Sequence, residues 1–80
     1  MPTLLRWKGY RFFFVSLDLG EPPHVHVDRD DGYAKFWLDP IRLARSRNFR
    51  AHELAEIRRK VEERVTWFLE QWHDYFESQD

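Results

Sequence analysis

Apolar and polar side chains alternate on both sides of a Lys8-Gly9 pair near the start of the chain. The alternation predicts two strands, residues 4–7 and 10–16, joined by a two-residue turn in which the glycine takes a positive φ. One face of this hairpin is predicted to be buried. That face consists of Leu5, Trp7, Tyr10, Phe12 and Phe14.

A second hairpin is predicted after residues 17–23, which should form a loop because Gly20 and two prolines cannot continue a strand ladder. Residues 24–28 alternate strictly and residues 33–38 nearly so, with a turn between them. The inward positions are Val25, Val27, Ala34, Phe36 and Leu38. The opposite face carries His24, His26, Asp28, Tyr33, Lys35 and Trp37.

The register of this hairpin depends on its turn. A four-residue loop places His26 opposite Lys35, whereas a tight Asp31-Gly32 turn places Asp28 there. Both turns keep the two faces as assigned.

A long C-terminal helix over about residues 51–77 is indicated by apolar residues spaced three and four apart. The stripe consists of Leu54, Ile57, Val61, Val65, Phe68, Leu69, Trp72 and Phe76. Before it, the arginine-rich residues 40–50 are expected to form a short turn or a single helical turn ending near Asn48. Arg50 is a poor N-cap, but Glu53 can complete a capping box from its own side.

These elements predict an α+β fold in which a four-stranded antiparallel sheet of two hairpins packs on one long C-terminal helix, in a single domain over residues 1–80. A helix of this length spans roughly 40 Å, against roughly 20 Å for a six-residue strand. We therefore expect the last helical turns to overhang the sheet. Trp67 lies off the apolar stripe and is expected to face solvent, as a candidate binding residue.

Composition narrows the class of protein. The 80 residues include no cysteine, which excludes disulfide scaffolds and thiolate zinc sites. No apolar run approaches the length of a membrane span, and no basic-then-apolar leader opens the chain. The expectation is a cytoplasmic protein that makes no use of a membrane.

The net charge of -1 hides a separation of charge along the sequence. Residues 40–50 hold Arg42, Arg45, Arg47 and Arg50 without an acidic residue, whereas residues 51–80 are acidic overall. The first three arginines are candidate contacts for phosphates or an acidic partner. Equally, the arginines could neutralise carboxylates of the adjoining helix.

Two histidines at positions 24 and 26 share one face of a strand, with Asp28 two residues further on. As a metal site they lack a third or fourth ligand, because His52 and His73 belong to distant helical turns. The sequence therefore predicts neither a metal site nor another cofactor.

The same histidines could cleave RNA without a metal. His24 or His26 would act as base or acid, and Lys35 and Arg11 would neutralise developing negative charge. Trp37, Tyr33 or Phe13 would stack unpaired bases. A purely structural alternative remains open, in which the imidazoles bond to the backbone of the Pro22-Pro23 loop or to Asp28 beneath Trp37.

Four segments carry a resemblance to a bacterial family. They are R-W-K-G-Y-R-F-F-F (6–14), E-P-P-H-V-H-V (21–27), A-K-F-W-L (34–38) and W-H-D-Y-F (72–76). Together they resemble the domain-of-unknown-function family four-one-six-zero. The resemblance implies a small prokaryotic protein of a toxin–antitoxin-like pair whose partner is a neighbour-encoded small protein.

We therefore expect a toxin that acts on RNA through the histidine-bearing face. The alternative is a noncatalytic protein-binding module, an antitoxin or adaptor, that uses the helix overhang and the arginine segment to contact its partner. A homodimer is compatible with either.

Overall fold

The computed structural model describes residues 3–15 and 20–77, so the predictions for residues 16–19 lie outside the described residues. The strands are β1 (Thr3–Trp7), β2 (Tyr10–Phe13), β3 (His24–Arg29), β4 (Gly32–Leu38) and β5 (Ile41–Arg47). The helices are α1 (Ala51–Glu63) and α2 (Val65–Glu77). The predicted α+β class with an antiparallel sheet is confirmed.

The sheet has five strands in sequential order, where four were predicted. The arginine segment, expected to form a turn, is the edge strand β5, which pairs with β4 through Leu38 opposite Ile41. Its alternation is interrupted at Ala44, since Lys35 pairs with Arg45 whereas Phe36 pairs with Leu43. Ala44 is therefore the extra residue of a β-bulge, and this irregularity hides the strand from a period-two pattern.

Both predicted hairpins are present. Trp7 pairs with Tyr10 across a two-residue turn in which Lys8 has φ 53° and Gly9 has φ 82°. In the second hairpin His26 lies opposite Lys35, which is the register predicted for a four-residue loop. The strands continue further than expected, and the turn itself is only Asp30–Asp31.

The core lies between one sheet face and the two helices, as the alternation and the helical stripe predicted. The buried apolar side chains that form this core are Tyr10, Phe12, Phe14, Val25, Val27, Ala34, Phe36, Leu38, Ile57, Val61, Phe68, Trp72 and Phe76. Aromatic contacts join the layers, with ring centroids 5.8 Å apart for Phe12 and Phe68 and 5.1 Å apart for Phe14 and Trp72.

The single long helix was a wrong prediction, because Arg64 leaves helical geometry (φ -115°, ψ 15°) and separates α1 from α2. The overhang was wrong too, since Trp72 and Phe76 are buried against Phe14 near the far end of α2. Trp67 is half-buried beside Phe68 and does not stand in solvent. In the described part of the chain, neither helix has the length and apolar character needed to cross a bilayer.

Glu53 joins the start of α1 to Arg29 at the end of β3. Its Oε1 accepts a hydrogen bond of 2.7 Å from the backbone N–H of Arg50, which is the predicted half of a capping box. Its other oxygen accepts from Arg29, whose guanidinium lies 3.9 Å from the ring centroid of Tyr10. The Arg50 N–H, together with Arg29, lowers the pKa of Glu53 below its ordinary value of 4.5.

We predict that Glu53→Gln destabilises the fold near neutral pH and that the difference from wild type shrinks in acid. A lowered pKa stabilises the folded state fully above the ordinary carboxyl pKa, and the contribution is lost as pH falls through the folded-state pKa. Urea unfolding over a pH series measures this. The exposed Glu70→Gln is the matched control and should change stability little. If the loss of stability caused by Glu53→Gln did not change with pH, the lowered pKa of Glu53 would not be the cause of its stabilising effect.

Candidate functional site on the polar face of the sheet

The sheet surface turned away from the helices, here called the polar face, gathers charged and aromatic side chains in rows across the strands. One row runs through Phe13, His26, Lys35 and Arg45, which are successive partners on β2, β3, β4 and β5. A second row runs through Arg11, Asp28, Tyr33 and Arg47. Arg42 pairs with Trp37 and lies on this same face. It is three residues from Arg45, and the extra residue of the bulge, Ala44, is what returns both side chains to one face.

A cavity of about 520 Å³ opens between these rows. Its lining consists of Phe13, Val15, His26, Tyr33, Arg45, Ser46 and Arg47. The imidazole of His26 stacks on Phe13 at a centroid distance of 5.3 Å, and its Nδ1 shares a 2.7 Å hydrogen bond with the hydroxyl of Tyr33. The cavity thus combines flat rings with polar groups, and His26 itself retains 7% exposure.

Arg45 and Arg47 supply the positive charge of the cavity. Both side chains are exposed, and each guanidinium carbon lies 5.6 Å from the ring centroid of Tyr33. Among residues 3–15 and 20–77, the helix carboxylates pair with Lys8, Arg29, Arg58 and Lys60 and with none of the arginines of β5. Among the described ion pairs, Arg42, Arg45 and Arg47 therefore neutralise no helix carboxylate, whereas Arg50 contributes to capping α1 through its backbone N–H, which bonds to Glu53.

The other two predicted cations of the site are held in ion pairs and do not line the cavity. Arg11 donates two hydrogen bonds to Asp28, at 3.2 and 2.9 Å, and the bond to this carboxylate raises the pKa of the guanidinium. Lys35 donates a 2.8 Å hydrogen bond to Glu21, and its Nζ also lies 4.6 Å from the ring centroid of Trp37. Their charges are thus offset locally, which leaves Arg45 and Arg47 to meet an anion.

His24 occupies a different environment from His26 although both stand on β3. The paired part of β2 ends at Phe13, opposite His26, and beyond it Trp72 of α2 reaches His24 at a centroid distance of 5.1 Å. His24 has no exposed surface. Its Nδ1 lies 2.9 Å from the carbonyl oxygen of Pro22, and because a carbonyl only accepts, Nδ1 carries the proton. This geometry is that of the structural alternative.

The remaining predicted site residues are dispersed. Trp67 packs on the helical side of the sheet, away from the polar face, and Arg42 lies outside the cavity lining. No group of three or more metal-binding side chains occurs within the described ranges. Ser46 and Val15 also line the cavity, although neither was predicted to be a site residue. Ser46 could not be predicted there because its segment was expected to form a turn and instead forms β5.

We predict that His24→Ala lowers the free energy of unfolding by about 2–4 kcal/mol, as truncation of a large buried side chain does. His52→Ala, an exposed histidine at the start of α1, is the matched control and should cost less than about 0.5 kcal/mol. Urea denaturation measures both. Equal effects of the two substitutions would show that His24 is not a packing residue.

Comparison with known proteins gives a family and no function. The family described as Domain of unknown function (DUF4160) matches residues 9–73, a span that contains β2, β3, β4, β5 and α1 and reaches into α2. No curated protein and no solved structure shows a significant match. The matched span includes the whole row from Phe13 to Arg45, with both histidines of β3 and the arginines of β5. The chain belongs to the DUF4160 family.

Proposed function

We propose that the polar face binds single-stranded RNA, with an unstacked base in the large cavity and phosphates on Arg45 and Arg47. The observation that carries the proposal is the cavity itself, whose lining combines Phe13, His26 and Tyr33 with two exposed arginines. Aromatic rings beside arginines are the usual means by which proteins hold unpaired bases.

The size and chemistry of the cavity suit one nucleotide. A volume of about 520 Å³ lies within the range of small-molecule sites, roughly 300–1,000 Å³. The bases of an A-form duplex are stacked and cannot enter such a cavity, so the ligand is single-stranded. The hydrogen-bonded His26 and Tyr33 supply polar atoms that can contact a ribose 2′-hydroxyl.

Local charge favours an anionic ligand although the whole chain carries -1. On the polar face, Asp28 offsets Arg11 and Glu21 offsets Lys35. The three arginines of β5 then form a local positive field on an exposed strand, and such a field attracts phosphates.

His26 is the one predicted catalytic residue that lines this cavity. In metal-independent cleavage it would take the proton of the ribose 2′-hydroxyl while O2′ attacks the adjacent phosphorus. The bond from phosphorus to O5′ breaks, O5′ takes a proton from water, and the hydroxide left behind takes the proton from His26, while Arg45 and Arg47 stabilise the charged phosphorane. Within a toxin–antitoxin pair the chain would then be the toxin, a role that rests on the family resemblance alone.

For RNA binding, the double substitution Arg45→Ser with Arg47→Ser should weaken affinity for a single-stranded oligonucleotide by at least about tenfold. It should also make the slope of log K against log salt shallower by about 1.4, or about 0.7 for each lost phosphate contact. Arg59→Ser with Arg64→Ser removes the same charge from the exposed helical side and should change neither quantity appreciably. Fluorescence anisotropy over a salt series, with a duplex of the same sequence for comparison, measures both.

Equal losses for the two double variants would show that binding follows net charge and not this cavity. Equal affinity for duplex and single strand would exclude an unstacked base as the bound group.

For cleavage, the wild-type protein in a metal chelator should convert single-stranded RNA to products ending in a 2′,3′-cyclic phosphate. His26→Gln should abolish these products while retaining RNA affinity within a few-fold, because Gln still offers a polar side chain near Tyr33. A 2′-deoxy substitution at the cleaved nucleotide should protect the RNA. Absence of cleavage by the wild-type protein would leave RNA binding intact as a function and remove the catalytic role of His26.

A further inference from the structure

The outer edge of β5 is a second surface with the features of a binding site. β5 pairs with β4 on one side only, and residues 42–47 are all exposed. An edge strand carries backbone N–H and C=O groups that can pair with an added strand. Arg58 donates a hydrogen bond of 3.3 Å to the carbonyl of Ile41 and so occupies one such group at the start of the strand.

An apolar cavity of about 250 Å³ lies beside this edge, between β5 and α1. It is lined by Phe36, Leu43, Ala51, Leu54, Ala55 and Arg58. Leu43 is 40% exposed and is the one large hydrophobic residue in the described part of the chain that is exposed to this degree. The small side chains of Ala51 and Ala55 leave the cavity open beside it.

The two sides of β5 therefore differ in chemistry. Arg42, Arg45 and Arg47 project on the polar face, whereas Leu43 projects on the side of the small cavity. Side chains of any strand added to β5 would alternate between the same two sides. Residues 40–50 contain no acid, so the basic side can be matched only by carboxylates brought from elsewhere.

A second copy of the chain is a poor occupant of this edge. Pairing β5 with another β5 would place arginines of one copy close to arginines of the other on the polar side, and like charges opposed across strands destabilise a pair.

We propose that the β5 edge binds an extended acidic segment of a partner protein as a sixth strand. Alternate carboxylates of that segment contact Arg42, Arg45 and Arg47, and an apolar side chain between them fills the cavity beside Leu43. The partner is thus recognised by alternating acidic and apolar residues. The site does not depend on RNA as the ligand of the polar face.

The test uses a synthetic peptide of alternating glutamate and valine, as long as β5, and the full chain. Calorimetry should show saturable binding, and amide hydrogen exchange followed by NMR should show new protection within β5. A peptide of alternating lysine and valine should bind at least about tenfold more weakly, because its charges oppose the arginines.

Two variants separate the apolar and charged parts. Ala55→Leu fills the small cavity and should weaken the glutamate–valine peptide several-fold, whereas Thr66→Leu adds the same side chain on the exposed surface of α2 and should not. Arg42→Glu should weaken the peptide about tenfold, while Arg59→Glu on α1 should not. Far-UV circular dichroism confirms folding of each variant.

The proposal is overturned if the two peptides bind equally, if β5 gains no protection, or if Ala55→Leu leaves affinity unchanged. A dimer in sedimentation experiments that Leu43→Ser dissolves would assign the edge to a second copy instead. Ala55→Leu lies outside the large cavity and should leave RNA affinity unchanged, so failure of this proposal and failure of RNA binding are separate results.

Discussion

The burial of one sheet face against an amphipathic helical stripe governs the rest of this structure. Phe12 on β2 and Phe14, one residue beyond it, contact Phe68 and Trp72 on α2, and this aromatic layer determines which face of each neighbouring strand is buried. A one-residue slip would exchange the two faces of a strand and bring charge into the core. Because the inner face is specified so strongly, the polar side chains are brought together on the outer face without needing to attract one another.

Alternation and helical periodicity were enough to predict the parts of the fold that obey a regular period. The two hairpins, the inner face and the apolar stripe through Val61 and Phe68 follow from them directly. β5 was not predicted, because the bulge at Ala44 interrupts its alternation. In addition, its connection to β4, Asp39–Pro40, is typical of a segment that ends a sheet. The interruption at Arg64 left the stripe intact, so no pattern in the sequence marked it.

The sequence predicted which side chains share the polar face, but not which of them are accessible and uncompensated by a neighbouring charge. His24 and His26 are equivalent in an alternating pattern, yet His24 packs against Trp72 of α2 with no exposed surface, whereas His26, 7% exposed, lines the cavity. Arg11 and Lys35 are basic in sequence, but Asp28 and Glu21 offset them in the fold. Burial and ion pairing arise between distant segments, which a local pattern does not describe.

The bulge at Ala44 also changes how basic residues should be compared among relatives of this chain. Here the spacing of arginines is three and then two, because one additional backbone unit rotates the strand between the first and the second. A homologue without that unit would need arginines at every second position to display the same pattern of charge. Alignments of this segment are therefore informative about surface chemistry only when gaps are placed by strand geometry, since an ungapped position-by-position comparison would treat the two arrangements as different.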